Sequence, residues 1–462
     1  MEIAPRSKRH MTTPAGVSGV MTEGCIWKSI VLFSIPLILG NLLQQLYNTA
    51  DSVIVGMYAG GNAFAAVSSS TFLISFMIAF SMGVSAGAGV VVSQFLGAGS
   101  KAGVDAAVHT ALAFSLILGS ILTMAGVLLG RDIMNLMEVP SVVMEDSVSY
   151  FRLYSAGLLF SIIYNMAAGI LNAAGDSRHP LLFLAVASVV NILLDLLLVA
   201  CLKMGVAGAA VATDLSQMVS CVLILGFLMR SGGDCRFRLR KLRIEKEMLI
   251  RIVRIGLPTG IQNMLISLSN VFVQTGVNRF GVAAVAGYGA YMRIDGFNIL
   301  PVMSLSLAMT TFAGQNCGAG KISRVKKGLR ITLVLALLYT IPAAVLILVF
   351  AAPLIRIFTQ ESAAIACGVL VTWNIGPVYF MQGIIHVLAG AVRGTGKAVP
   401  PMVILLFTFC ACRIAWLHWG ASALGTLEGV LLVYPASITL GMILMILYVR
   451  KADWLRKSGK MC

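Results

Sequence analysis

Apolar runs of about 20 residues, enough to carry a helix across the hydrocarbon core of a bilayer, recur along nearly the whole of this chain. Backbone inside lipid must satisfy its own hydrogen bonds, so each run is expected to be a helix. Of the 462 residues 58% are hydrophobic and only 11% charged, with a mean hydropathy of +0.92. A soluble domain does not carry that balance. The fold class read from these runs is an all-α polytopic membrane protein.

Polar breaks divide the runs into twelve expected spans: 28–57, 64–95, 106–129, 149–173, 180–202, 206–229, 250–279, 283–313, 329–352, 367–391, 399–420 and 427–449. The loops alternate in charge. One side takes Arg6, Lys8, Arg9, Lys28, Lys101, Arg178, the stretch "RSGGDCRFRLRKLRIEKE", "KISRVKKGLR", Arg393, Lys397 and the closing "RKADWLRKSGK". The other side holds only Arg131, Lys203, Arg279 and Arg356. Basic loops mark the cytoplasmic side, so both termini are expected in the cytoplasm of a multi-pass plasma (inner) membrane protein. The same asymmetry explains the net charge of +16 without nucleic acid as a partner. Residues 1–27 are polar and basic, with no short apolar core and cleavage site, and read as a cytoplasmic tail rather than a signal peptide. The nine cysteines lie scattered, mostly in apolar runs and without a CxxC; they read as small hydrophobes rather than a disulfide or zinc framework.

The chain also repeats itself at an offset of about 221 residues. "IVLFSIPLILGNLLQQLYN" (30–48) aligns with "IVRIGLPTGIQNMLISLSN" (252–270), "SQFLGAGS" (93–100) with "GQNCGAGK" (314–321), and "LNAAGDSRHP" (171–180) with "VRGTGKAVPP" (392–401). Six spans per repeat return the chain to the side it started from. The repeats are therefore parallel, two six-helix lobes related by a pseudo-two-fold axis along the membrane normal, an arrangement that suits rocking about a central cavity. The expected divisions are an N-terminal tail 1–27, a first lobe 28–230, a basic linker 231–248, a second lobe 249–450 and a C-terminal tail 451–462.

Charges inside spans are expensive and mark function or pairing. Asp51, Asp195 and Thr213 each lie six to eight residues from the external end of their span, which places them level, roughly 10 Å below the outer surface. Asn191, four residues before Asp195, shares its helix face one turn deeper. This oxygen-rich patch suits a hard monovalent cation such as Na+, or a proton, since close carboxylates in a low dielectric cannot both stay ionised. The competing reading is a buried polar network that only fixes packing. In the second repeat the matching positions are Val273, Cys412, Trp416 and Tyr434, so the fold alone does not demand these groups. Asp214, Asp295, Tyr47 and Asn48 are secondary candidates for contacting substrate. Asp295 has Arg293 and Arg413 as possible partners, and Arg293, two residues away, is on a different helix face. The run "SMGVSAGAGVVVSQFLGAG" (81–99) lacks the order of a phosphate-binding loop and reads as small residues permitting close helix contact. No Ser/His/Asp set or metal-ligand spacing is present in the sequence, so no enzyme, cofactor or resident metal is expected.

These features resemble the multidrug and toxic compound extrusion (MATE) transporters over nearly the whole chain. The residues that carry the resemblance are "LYNTADSVIVG" in span 1, "GDSRHP" before span 5, "NILLD" within it, "GVAGAAVATDLSQ" into span 6 and "QNCGAGK" after span 8. The resemblance implies an antiporter, acting as a monomer in the lipid bilayer, that expels small amphipathic, often cationic, compounds while H+ or Na+ moves inward. It carries the family's cation site onto Asp51, Asn191, Asp195 and Thr213. The span-7 stretch "SLSNVFVQTG" has no carboxylate, so the second-lobe acid of some branches is expected to be absent. The alternative within transport is a flippase or exporter of a lipid-linked or other endogenous precursor, which needs cavity lysines or arginines for a pyrophosphate. A channel or a polytopic enzyme fits the repeat and the residues less well.

Overall fold

A computed structural model describes residues 21–455; the parts of the expected tails at 1–20 and 456–462 lie outside the described residues. The first half is six long helices: α1 (Ile26–Tyr58), α2 (Gly61–Gly97), α3 (Lys101–Leu136), α4 (Ser141–Ala173), α5 (Arg178–Asp195) and α6 (Gly205–Arg230). In the second half α7 is Lys246–Asn278, α8 (Val282–Asn298) runs on into α9 (Leu300–Gly318), and α10 (Ile322–Val349) is followed by the short α11 (Ala351–Arg356). Then come α12 (Ser362–Ile375) with α13 (Tyr379–Gly394), α14 (Val399–Leu406), α15 (Cys412–Ala415), α16 (Ala421–Leu424), α17 (Leu427–Leu431) and α18 (Val433–Lys451). Eleven stretches of the described residues are long and apolar enough to cross a membrane. The twelfth member, α7, is as long at 33 residues but is diluted by Arg251, Arg254, Gln262, Asn263 and Asn270. The chain is a multi-pass membrane protein of two six-helix lobes.

The helices outrun the apolar runs that announce them. The third expected span, 106–129, is the middle of a helix that covers Lys101–Leu136, because a helix continues into polar residues until something stops it. At most of the breaks between helices sits a glycine with positive φ, and these glycines obey the repeat: Gly60 with Gly281, Gly99 with Gly320, Gly175 with Gly396 and Gly205 with Gly425. Glu138 after α3 and Lys203 before α6 take positive φ as well. At 97–100 the local logic is visible. Gly99 turns the chain at φ 69°, and the Ser100 hydroxyl accepts from Gly103 N–H to cap α3 at 3.3 Å, satisfying one of the orphan donors of a helix start.

Three buried clusters hold the bundle, and two of them cross the lobes. Ile30 and Phe33, at the start of α1, pack in the cluster of second-lobe residues that includes Phe312 and Leu388. Their repeat mates Ile252 and Ile255, at the start of α7, pack in the first-lobe cluster with Val91 and Ile170. Each lobe thus lends the first turns of its first helix to the other.

The face bearing the basic loops is sealed by small residues. A Cβ built on Gly83 of α2 would stand 2.2 Å from Gly260 Cα of α7, and one on Gly87 would stand 2.4 Å from Gly256 Cα. Further toward that face the contact becomes reciprocal: a Cβ on Gly97 would meet Gln315 O at 1.9 Å, and one on Gly318 would meet Gln94 O at 1.9 Å. The glutamines complete the symmetry. Gln94 Nε2 donates to Gly394 O at 3.1 Å and Gln315 Nε2 to Ala173 O at 2.7 Å. The run 81–99 is therefore a close-contact helix surface, as its composition indicated.

The symmetry is broken at one point. Gln315 Oε1 also accepts from Met21 N at 2.6 Å, a bond for which Gln94 has no counterpart among the described residues. Gln315→Leu would strand a buried donor and a buried carbonyl, at about 1–3 kcal/mol each. Gln94→Leu strands one carbonyl in a half-buried setting. The expected result is a clearly larger drop in thermal midpoint for Gln315→Leu than for Gln94→Leu, measured on purified protein in detergent.

Candidate functional site

The outer end of α5 does not finish as an α-helix. From Leu196 to Cys201 the hydrogen bonds widen into a π-helical segment, one extra residue in the turn that follows Asp195. The second lobe repeats the device at Trp416–Gly420, so the widening belongs to the fold; such segments re-aim the side chains beside them.

Asp195 is fully buried and Asn191, one turn below, is 1% exposed. The carboxyl groups of Asp195 and of Asp51 on α1 come within hydrogen-bonding reach of each other. Written as carboxylates, neither can donate, and Asp51 Oδ1 and both Asp195 oxygens have no hydrogen-bond donor among the described residues. One proton between them turns that contact into a hydrogen bond. Both polar atoms of Asn191 are likewise unpartnered, although buried polar groups are normally satisfied. An unfilled set of this kind, two carboxyl groups with an amide a turn away, is what a small cation or a shared proton would complete.

Asp51 stands at the wall of a cavity of about 900 Å³ and Asp195 is not part of that wall. Gln45, Asn48, Tyr150, Tyr154 and Thr213 line it with Asp51, and Arg293 of α8 is the one lining residue from the second lobe. The α2 part of the wall ends near Ile78, about one and a half turns short of the Gly83 contact. The cavity therefore lies between the lobes on the far side of the seal from the basic loops. Thr213 spends its hydroxyl proton on Ala209 O at 3.1 Å, leaving lone pairs for the cavity. Tyr47 is buried behind the wall, and Gln217 Nε2 approaches its Oη at 3.5 Å.

Other candidates separate from this group. Asp214 faces α4, where Gly157 makes room: a Cβ there would stand 2.1 Å from Asp214 Cγ. Asp214 is within electrostatic reach of Tyr150 and Tyr154. Asp295 lies inside the second lobe, its Oδ1 without a donor, facing the charge of Arg413 rather than Arg293. Arg413 itself is held by Ser437 Oγ at 3.1 Å and Asn270 Oδ1 at 3.0 Å, between the rings of Phe409 and Tyr434. The exposed Arg293 turns into the cavity instead. The aromatic part of the wall, Tyr150 and Tyr154, was not among the sequence candidates; their i, i+4 spacing on one face of α4 was the available sign.

The MatE family profile matches residues 36–197 and 258–417, one stretch in each repeat. Over 446 residues the chain is 30% identical to the probable multidrug resistance protein YoeA of Bacillus subtilis, covering 94% of this chain and 95% of that one. It is 25% identical to an FAD transporter of Shewanella oneidensis, covering 89% and 91%. The fold matches that of a MOP superfamily transporter from Pyrococcus furiosus with a TM-score of 0.88 at 24% identity, over 96% of this chain and 100% of that one.

Proposed function

Because the chain belongs to the MATE family of multidrug efflux transporters, we propose that it is a secondary antiporter that exchanges organic cations for inward-moving H+ or Na+ at the Asp51–Asp195 pair. The observation that carries the reading is the unfilled carboxyl contact at the back of an interlobe cavity. A carboxylate flanked by Asn48, Gln45 and two phenol rings suits a cation with aromatic surface. When a proton or metal ion binds the pair, Asp51 ceases to offer its charge to that substrate, so the two cations compete. Competition of this kind is the minimum that exchange requires.

The pair also reaches the rest of the molecule. Asp51 rides on α1, whose start is packed into the second lobe at Ile30 and Phe33 and whose Asn41 Nδ2 donates to Ser304 Oγ at 3.1 Å. Two bare carboxylates push α1 and α5 apart, and a shared cation draws them together. Cation occupancy is thus transmitted along α1 to the opposite lobe, where it biases the balance between open and sealed faces. With the basic loops in the cytoplasm, the sealed face described here is the cytoplasmic one.

The FAD-transporter relative raises an anionic phosphate-bearing substrate as a second reading. Arg293 alone answers that chemistry in the cavity wall, against Asp51, and the cationic reading stands ahead of it. Efflux of a cationic dye from proteoliposomes, driven by an imposed H+ gradient and then by a Na+ gradient, tests both the activity and the ion. Thr213→Val adds a discriminating arm. If Na+ is coupled, loss of the Thr213 oxygen weakens the dependence on Na+ by roughly tenfold, the scale of one charge-assisted contact. If H+ is coupled, the same variant stays within about twofold of the parent, since its hydroxyl bond to Ala209 is local. Dye efflux that responds to neither gradient removes the proposal.

A further inference from the structure

α1 and α5 together leave an opening on the outside of the bundle. On the basic-face half of the membrane α1 and α5 touch, Ser177 Oγ donating to Phe33 O at 2.9 Å and Gly40 facing Leu181, and a groove of about 1140 Å³ runs along the outside of that contact. Leu39, Leu43 and Leu46 of α1 and Leu181 and Leu182 of α5 give it an apolar floor and walls. Leu39, Leu46 and Leu182 are about half exposed there. At its basic-face end the groove is closed by the start of α5 and by Arg178.

The polar end is already organised. Asp176 Oδ1 accepts from Arg178 N at 3.1 Å and His179 N at 3.2 Å, and Oδ2 meets His179 Nδ1 at 2.5 Å. His179 stacks on Phe227 with ring centroids 4.1 Å apart. Asp176 therefore occupies the helix start itself, and the free charge of the site is the exposed guanidinium of Arg178, which has no acidic partner among the described residues. The fold does not require it: the repeat mates of Arg178 and His179 are Val399 and Pro400.

We propose that the α1–α5 groove is a binding site for an anionic phospholipid of the leaflet on the basic face, its phosphate on Arg178 and an acyl chain along Leu39, Leu43 and Leu46. An apolar trough running from a lone guanidinium into the hydrocarbon region matches the two ends of such a molecule and no soluble anion. Its place is also informative. A lipid chain there lies against both α5 and the segment of α1 that joins Asp51 to the second lobe, so its occupancy bears on how freely α1 moves.

Native mass spectrometry of the full-length protein, titrated with phosphatidylglycerol or phosphatidylcholine, tests this. The expected result is a preference for phosphatidylglycerol of roughly fivefold, the scale of one basic residue at an anionic surface. Arg178→Gln abolishes the preference and Arg178→Lys retains it. Leu182→Trp, at an exposed position that should not disturb folding, fills the trough and lowers retention of both lipids. Glycerol 3-phosphate, the head without chains, does not compete. Equal retention of the two lipids by the parent, an unchanged preference in Arg178→Gln, full retention by Leu182→Trp, or displacement by glycerol 3-phosphate would each overturn the proposal. None of these readouts depends on which drug or coupling ion the transporter uses.

Discussion

Asp195→Asn reduces gradient-driven dye efflux to the level of protein-free liposomes, while the variant is made, inserted and thermally as stable as the parent or more so. The two halves of that expectation come from one observation. Asp195 is fully buried and neither of its carboxyl oxygens has a donor. A buried carboxylate without partners costs several kcal/mol, and an amide of the same shape costs less, about 1–3 kcal/mol. A residue kept for packing alone would reverse the pattern, with stability falling and transport surviving in proportion to folded protein. The amide cannot take up or release the shared proton, and as a neutral ligand it cannot hold Na+ against the membrane interior. Asp51→Asn should lose coupling as well, and in addition weaken binding of a cationic dye, because Asp51 alone of the pair lines the cavity. Efflux by Asp195→Asn at more than a small fraction of the parental rate would sink the coupling assignment.

Residue spacing along a straight helix converts directly to depth, so Asp51, Asp195 and Thr213 were level on paper, and the carboxyl groups of the first two meet. Span number, the repeat and the close-contact nature of 81–99 were legible for a similar reason, since each is a one-dimensional pattern of apolar, glycine or charged residues. What the pattern leaves undetermined is which neighbour a helix chooses. Ile30 and Ile252 look like ordinary lobe residues in sequence, yet each is buried in the opposite lobe. Arg293 and Asp295 were known to face different ways, but only the packed lobes decide that Arg293 takes the cavity and Asp295 the interior beside Arg413. The groove beside Leu39 is formed by the outer faces of α1 and α5 together, and no local property of its leucines announces it.

Gly83→Ala places a methyl group directly against backbone where α2 meets α7. The new Cβ would stand 2.2 Å from Gly260 N and Cα and 2.7 Å from Thr259 C; these are backbone atoms, which cannot swing aside as a side chain would. Relief requires α2 and α7 to separate, at about 1–3 kcal/mol for overpacking of this kind. That cost falls on the sealed basic face and not on a state in which the two helices part. It shifts the balance toward the parted state by roughly five- to 150-fold. The expected result is a longer separation between spin labels placed at the exposed Lys101 and Lys327, with dye efflux reduced by at least about tenfold at the upper end of that cost. Gly256→Ala, whose Cβ would come no nearer than 2.9 Å to Val84, should give a weaker version of both effects. Gly226→Ala supplies the sign control: nothing lies within 4 Å of its Cβ, so the methyl group brings only the helix-propensity gain of about 0.5–1 kcal/mol and leaves distances and efflux unchanged. A parental distance distribution in Gly83→Ala would mean that α2 and α7 absorb the added methyl group without parting, despite the backbone contacts described above, and that the glycines are not what closes this face.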